Sequence, residues 1–309
     1  MLIAKEIILY IILSVFCFEI FSKYFSKFII DRPVLRSSHF EDTPTSGGII
    51  FLLIYLIYVF FNKKYSLLLL APISILGFFD DVFNIKQIYR LFFQSINVLC
   101  ISFLLLEFDF FLNLNLSNGF ISIIVFLIGL TFVNLVNFMD GIDGLVASNM
   151  LLLFLNYSLN NNLDLISIPV VLFIFLFYNW SPAKIFMGDS GSTFLGIILF
   201  YMSLSNKDLN SSIVFILTAS PLLMDGLVCI LRRILNKENI FSPHKKHLYQ
   251  RLNQNGMKHE KVSLIYAGCT FILIIFSQTN NLVIMSSLTL LVFLVGIYLE
   301  KNCAIPFKI

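Results

Sequence analysis

Phe120-Ile-Ser-Ile-Ile-Val-Phe-Leu-Ile-Gly-Leu-Thr-Phe-Val-Asn134-Leu-Val-Asn137-Phe-Met-Asp140-Gly141-Ile-Asp143-Gly144 decides the fold. Residues 120–139 carry no charge and are long enough to cross a bilayer as a helix. An ionised Asp at the centre of such a helix costs about 2.5–3.5 kcal/mol, so Asp140 and Asp143 belong at its end and have a use there. Asn134, Asn137 and Asp140 recur every third residue and share one helix face. Gly141 and Gly144 then let the backbone turn sharply or approach a ligand. Capping explains one Asp, but not four polar residues closing a Phe-rich helix.

The rest of the chain repeats the pattern. Apolar runs fall near 2–22, 47–61, 65–79, 91–106, 120–139, 145–159, 163–179, 193–205, 211–231, 262–277 and 282–299. With 58% apolar residues, 35 Phe, 13% charged residues and a mean hydropathy of +0.90, the composition excludes a soluble domain. We expect an all-α polytopic membrane protein of about 10–11 transmembrane helices, forming one domain over residues 1–309. Residues 108–116 alternate apolar and polar before Ser117-Asn118-Gly119, which predicts a short hairpin or loop. The first run lacks a small-residue cleavage site and leads into further spans, so a retained helix is expected. Cysteines at 17, 100, 229, 269 and 303 have no paired spacing; they suggest neither disulfides nor a zinc site and are expected to pack. The net charge of +3 singles out no partner class.

Alternating the spans assigns each connection to one of two sides. One side holds 17 of the 21 Lys and Arg, in 23–36, at Lys86, Arg90 and Lys184, in 232–261, and at Lys301 and Lys308. Lys5, Lys63, Lys64 and Lys207 fall on the other. The positive-inside rule makes the rich side cytoplasmic. The acidic motifs then sit at the inner ends of the third, fifth and seventh spans, so distant segments converge on one face with cytoplasmic catalytic loops.

Gly77-Phe-Phe-Asp80-Asp81 ends the third run, with Arg90 nine residues on and Gln94 a turn later. Adjacent carboxylates at a helix end can hold a cation or orient polar groups, and Arg90 can grip a phosphate; alone, the pair is also compatible with a solvated helix end. Asn179-Trp-Ser-Pro182-Ala-Lys184-Ile-Phe186-Met-Gly188-Asp189-Ser-Gly-Ser192 follows the seventh run. Pro182 stops a helix, Lys184 supplies a cation, and Gly188–Ser192, ahead of the eighth helix, suits a hard metal and offers backbone donors to phosphate. Gly-Asp-Ser-Gly alone would suggest a serine hydrolase, but no strand-turn-helix elbow surrounds Ser190.

The loop after the ninth run carries Arg232, Arg233, His244, Lys245, Lys246, His247 and Arg251. Such a loop serves topology or anionic lipid, or, opposite carboxylates, clamps an anionic substrate. Asp225 and Arg232 are seven apart and are expected to pair. Pro44-Thr-Ser-Gly-Gly48 opens the second run as a cap or an anion site. His39 and His259 have no partner in the sequence, and His259 reads as a surface residue.

In this order the elements resemble the polyprenyl-phosphate N-acetylhexosamine-1-phosphate transferase family, of glycosyltransferase family 4 type. The resemblance covers about residues 31–252. It rests on Asp31-Arg32-Pro33 with Arg36 and His39, Pro44–Gly48, Gly77–Asp81, Asn137–Gly144, Phe186–Ser192 and the basic loop with His247. It implies transfer of a HexNAc-1-phosphate from a UDP-sugar to undecaprenyl phosphate, releasing UMP, at the cytoplasmic face of a bacterial inner membrane. It implies catalytic roles for Asp80, Asp81, Asp140, Asp189 and His247. Substrate contacts are implied at Arg36, Arg90, Asn134, Asp143, Lys184, Phe186, His244 and Arg251, with Phe186 stacked on uracil and Arg90 near the lipid phosphate. Asn137 and Asp189 would hold Mg²⁺, with Mn²⁺ an alternative. The implied partners are undecaprenyl phosphate, a UDP-N-acetylhexosamine and membrane lipids; a homodimer stays open, and nucleic acid is not expected.

A phosphate monoester has a second pKa near about 6, so the lipid nucleophile is already ionised and Asp80 is expected to position it. The pentapeptide-transferring branch carries consecutive histidines in its last loop. Here that loop reads His244-Lys-Lys-His247-Leu-Tyr-Gln-Arg251 and leaves little room for a pentapeptide. An enzyme initiating O-antigen (lipopolysaccharide) or capsule is therefore expected, with GlcNAc, FucNAc and QuiNAc open as the sugar. A secondary transporter would place its carboxylates near the midplane on broken helices. A CDP-alcohol phosphotransferase would need further aspartates within 147–162, which has none. A silent scaffold gives no reason for every polar motif to occur together.

Overall fold

The computed structural model describes residues 2–25, 27–33, 41–105, 118–239 and 242–307. The described helices are α1 (Leu2–Ile20), α2 (Ile49–Phe61), α3 (Pro72–Phe83), α4 (Gln87–Leu105), α5 (Asn118–Met139), α6 (Leu145–Asn160) and α7 (Ser167–Asn179), then α8 (Gly188–Leu204), α9 (Leu209–Thr218), α10 (Ser220–Leu235), α11 (Leu248–Gln254), α12 (His259–Ser277) and α13 (Leu282–Cys303). The strands β1 (Ile30–Asp31) and β2 (Thr43–Pro44) pair antiparallel, Ile30 opposite Pro44. Residues 108–116, the expected hairpin, lie outside the described residues.

α8 is the axis of the bundle. Its residues from Ser190 to Phe200 are all buried, and it packs against α3 and α5 with further contacts to α2, α4, α6 and α9. Its sequence, Gly-Asp-Ser-Gly-Ser-Thr, places small residues where neighbours come closest. A Cβ on Gly77 of α3 would lie 2.4 Å from the Asp189 carbonyl oxygen, so the two helices meet backbone to backbone. Ser74 uses that proximity, donating through Oγ to the Ser190 carbonyl at 2.9 Å.

The outer surface is the converse of this core. Ile88, Phe92, Ile96 and Phe103 of α4 and Leu290, Leu291 and Leu294 of α13 are exposed. Each such side chain forfeits roughly 1.5–3 kcal/mol when left in water, and none of it in lipid. The segments Tyr65–Phe83 and Gly119–Met139 and the helices α12 and α13 are long and apolar enough to cross a membrane, and α9 with α10 makes a fifth if counted as one broken span. The protein is an all-α polytopic membrane protein.

Two expectations are corrected. The run 211–231 is not one helix; α9 and α10 meet at a 75° bend. Pro221, in the first turn of α10, has no N–H to continue the ladder and its ring crowds the preceding turn. Residues 188–192 are the first turn of α8 rather than a loop before it, because a side chain from α3 caps them.

Candidate active site

The C-terminal ends of α3 and α5 meet the N-terminal end of α8. Asp80 and Asp81 close α3, and adjacent residues on a helix point about 100° apart, so they act in different places. Asp81 turns toward α8. It accepts hydrogen bonds from Ser46 Oγ at 2.7 Å, from the Asp189 N–H at 2.8 Å and from the Ser190 N–H at 3.3 Å. Gly188 sits at φ +68 with its would-be Cβ 2.4 Å from Asp81 Oδ2, so only glycine fits beside this cap.

The cap corrects two readings. The N–H groups of Asp189 and Ser190, expected to face phosphate, are taken by Asp81. Gly47 and Gly48 likewise donate their N–H groups to the carbonyls of Phe186 and Met187, each at 2.9 Å, and α2 has no side-chain cap. Pro44–Gly48 is therefore a clamp on the segment ahead of α8, and the two glycine N–H groups are not free for an anion.

Asp80 faces the other way, into a cavity. Its Oδ1 accepts from the Ile85 N–H at 2.8 Å and its Oδ2 from Arg90 Nη1 at 2.7 Å. The same Nη1 reaches Asp189 Oδ2 at 2.5 Å. Asn137 Nδ2 donates to Asp189 Oδ1 at 2.9 Å and to Ser192 Oγ at 3.0 Å. Asp140 joins this wall just past α5. Burial, reinforced by the Asp189, Asp81 and Asp143 carboxylates, pushes its pKa up to about 8. At Asp143 burial acts upward too, but His259 beside it and the Ala183 N–H hold the carboxyl below its usual range. His259 Nδ1 lies 3.2 Å from Asp143 Oδ2, and the Ala183 N–H donates to the same oxygen at 3.2 Å.

The opposite wall is the basic loop. Its anchor is Asp225, which accepts from the N–H groups of Leu248 (2.7 Å) and Tyr249 (3.1 Å) and from Tyr266 Oη (2.7 Å). The expected Asp225–Arg232 pair is not formed; Arg232 pairs with Glu300. Arg233, 1% exposed, holds the loop through Glu238 at 3.1 Å, Ser242 Oγ at 2.8 Å and the Asn239 carbonyl. His247 opens α11 with Nδ1 3.7 Å from Asp225 Oδ1. Burial lowers its pKa, and the Asp225 carboxylate and Cys229 outweigh burial, leaving it at about 9. Burial, then the charges of His247, Arg233 and Lys246, push His244 down to about 4.

Between the walls lies a cavity of about 830 Å³. Of the residues singled out in the sequence, Asp80, Asp81, Arg90, Asn137, Asp140, Asp143, Phe186, Asp189, His244 and His247 line it. Asn134, Lys184 and Arg251 do not. Asn134 donates back to the Leu130 carbonyl at 2.8 Å, Lys184 is exposed, and Arg251 braces the loop to Ile305 and Glu300 at 3.0 and 2.8 Å. Arg36, with His39, lies outside the described residues. His259, read as a surface residue, lines the cavity instead; nothing within its own stretch of sequence signals the partnership with Asp143. Gln87, Gln250 and Arg32 are further polar lining residues.

The acidic wall fits a hard divalent cation. Its donors are carboxylate and amide oxygens, which suit Mg²⁺ or Mn²⁺, and the Asp189, Asp81 and Asp143 carboxylates add to burial at Asp140 a negative charge that a divalent ion relieves. As placed, the Asn137 amide turns Nδ2 toward Asp189; a ligand role requires the amide turned over so that Oδ1 takes that place.

Fold and site together define a polytopic membrane protein with an oxygen-lined acidic cavity at one end of its helix bundle, closed by an imidazole-bearing basic loop. The chain belongs to glycosyl transferase family 4, whose family model matches residues 63–207. It is similar to a probable undecaprenyl-phosphate N-acetylglucosaminyl 1-phosphate transferase of Bacillus subtilis (strain 168), 29% identical over 265 residues covering 76% of this chain and 73% of the relative. It is similar to an undecaprenyl-phosphate alpha-N-acetylglucosaminyl 1-phosphate transferase of Thermotoga maritima, 27% identical over 300 residues covering 96% and 94%. It is also similar to a phospho-N-acetylmuramoyl-pentapeptide-transferase of Petrotoga mobilis, 31% identical over 236 residues covering 63% and 74%.

Proposed function

We propose that this protein, as a single membrane-embedded domain, transfers a HexNAc-1-phosphate from a UDP-sugar to undecaprenyl phosphate at the cytoplasmic face of the inner membrane. UMP leaves, and the lipid-linked sugar starts a cell-envelope glycan. The observation that carries this reading is the facing of the Asp80–Asp140–Asp189 wall and the His244–His247 loop across one cavity. Relatives named as transferases to undecaprenyl phosphate support it.

An oxygen of the lipid phosphate attacks the sugar-bearing phosphorus of the donor in line. A new P–O–P linkage forms, the bond from that phosphorus to the bridging oxygen breaks, and the electron pair leaves with UMP. Mg²⁺, when bound, supplies charge neutralisation to the pyrophosphate and the departing phosphate. Asp189 and a turned Asn137 would hold it. Arg90, which bridges Asp80 and Asp189, is placed to exchange a carboxylate for the lipid phosphate. Asp80 positions that phosphate, which ionises unaided at neutral pH. His247, an imidazolium at neutral pH, faces donor phosphate from the loop, and Phe186 offers its ring to uracil. Asp81 acts through α8, whose first turn it caps, and Asp143 through residues 180–184 and α12. The loop, drawn in by Arg233, favours a sugar without a peptide and hence O-antigen or capsule initiation.

The test is UMP release by the full-length protein in detergent, with undecaprenyl phosphate, Mg²⁺ and a panel of UDP-HexNAc donors. Release that needs both lipid and metal is expected and names the sugar. Absence of release with every donor, in folded protein, contradicts the reading.

A further inference from the structure

Cys229 of α10 and His244 and His247 of the basic loop come together although 15 residues or more separate the cysteine from either histidine in the sequence. One potential ligand atom of each, the Cys229 thiol and an imidazole nitrogen from each histidine, lies within 4.8 Å of the others. Cys229 is 3% and His247 2% exposed. His247 Nδ1 is buried without a hydrogen-bond partner among the described residues. His244 Nδ1 accepts a long bond, 3.3 Å, from the Lys246 N–H. The two imidazole rings are 5.1 Å apart and tilted by 32°. Asp225, fixed by three donors, stands beside the His247 ring with Oδ1 3.7 Å from His247 Nδ1.

We propose that Cys229, His244 and His247 form a binding site for a thiophilic divalent ion such as Zn²⁺, separate from the oxygen-lined site on the opposite wall. Thiolate and imidazole select zinc over magnesium. Tetrahedral zinc, with bonds of about 2.0–2.3 Å, sets its donors roughly 3.5 Å apart, so the triad needs about an ångström of contraction. On binding, the Cys229 thiol proton and the proton carried by His247 both leave to solvent. Three protein ligands leave a fourth position for water or an anion. The histidines line the large cavity, whereas Cys229 lines a separate one of about 140 Å³ between α10, α12 and α13, so the ion would pin the loop into the partition between them. The kinetic consequence rests on the transferase reading: zinc would occupy both imidazoles that face donor phosphate and raise KM for the UDP-sugar.

The site itself is tested by titrating reduced, detergent-purified full-length protein with Co²⁺. The expected result is a thiolate-to-cobalt charge-transfer band with intense tetrahedral ligand-field bands, saturating at one equivalent, displaced by Zn²⁺, absent in Cys229→Ser and retained in Cys303→Ser. If Cys229→Ser does not fold, His244→Ala in folded protein should weaken Co²⁺ binding by at least about 100-fold. Folded wild-type protein without the charge-transfer band, or a band that both variants leave unchanged, overturns the site. A normal cobalt spectrum with no effect of Zn²⁺ on KM retains the site and overturns only the assignment of these histidines to the donor.

Discussion

The two walls of the cavity are built by opposite means. The acidic wall is borne on helix ends: Asp80 on α3, Asn137 on α5 and Asp189 on α8 are placed by backbones that touch, with Gly77 against Asp189. The basic wall is a loop, and side chains hold it in place: Asp225 grips the start of α11, Arg233 holds Glu238, Asn239 and Ser242, and Arg251 ties the loop to Glu300 and Ile305. Rigid helix ends suit a fixed set of metal-type donors, and a loop held by a few ion pairs suits a part that admits and releases a substrate. The comparison predicts that damage to the acidic wall removes chemistry and leaves the fold, whereas damage to the pins of the basic wall removes stability first.

The largest effect is expected from Asp189→Ala, a fall in kcat of roughly 10³-fold or more with unchanged thermal unfolding; turnover within tenfold of wild type would remove Asp189 from the proposed metal site. Asp80→Asn should lower kcat by about 10²-fold at every pH between about 6 and 9. If Asp80 were a base, the loss would vanish as pH rises above the lipid phosphate's pKa of about 6, so a pH profile of UMP release separates the two roles. Arg233→Met strips hydrogen bonds from the Asn239 and Ser242 carbonyls and should cost about 2 kcal/mol of stability, seen as a lower midpoint in detergent. An unchanged midpoint would mean that the loop is held by other contacts.

The smallest effect concerns His259. Asp143 has its carboxyl held below the usual range. Its stabilising contribution is therefore complete above that range and is lost as pH falls through the depressed value. His259→Gln moves the folded pKa back toward normal, so acid unfolding should begin at higher pH, within about pH 3–5. Superimposable acid limbs in wild type and variant would show that His259 is not the cause.

Much of the acidic wall was legible in the sequence, because helical period and membrane energetics are local. The run ending at Asp140 had to stop at an interface, and so did the one ending at Asp80 and the one ending at Asn179, ten residues before Asp189. The two roles within Asp80-Asp81 were not legible, since which way each points depends on α8, more than a hundred residues away. The same distance hid the use of the Gly47 and Gly48 N–H groups by Phe186 and Met187, and that of the Asp189 N–H by Asp81. On the basic wall the residues were visible and their partners were not. Arg232 turned to Glu300 rather than to Asp225 one helix face away, and His259 found Asp143 across 116 positions. The bend between α9 and α10 had a local signal in Pro221 that a long apolar run concealed.

The most direct test of the account is the mass and phosphorus content of the lipid product formed from a UDP-HexNAc donor by the full-length protein. Phosphosugar transfer predicts undecaprenyl pyrophosphate bearing one HexNAc, with UMP released in equal amount. A lipid product with a single phosphate and UDP as the released nucleotide would mean that the sugar alone is transferred, and would contradict the mechanism assigned to the facing walls.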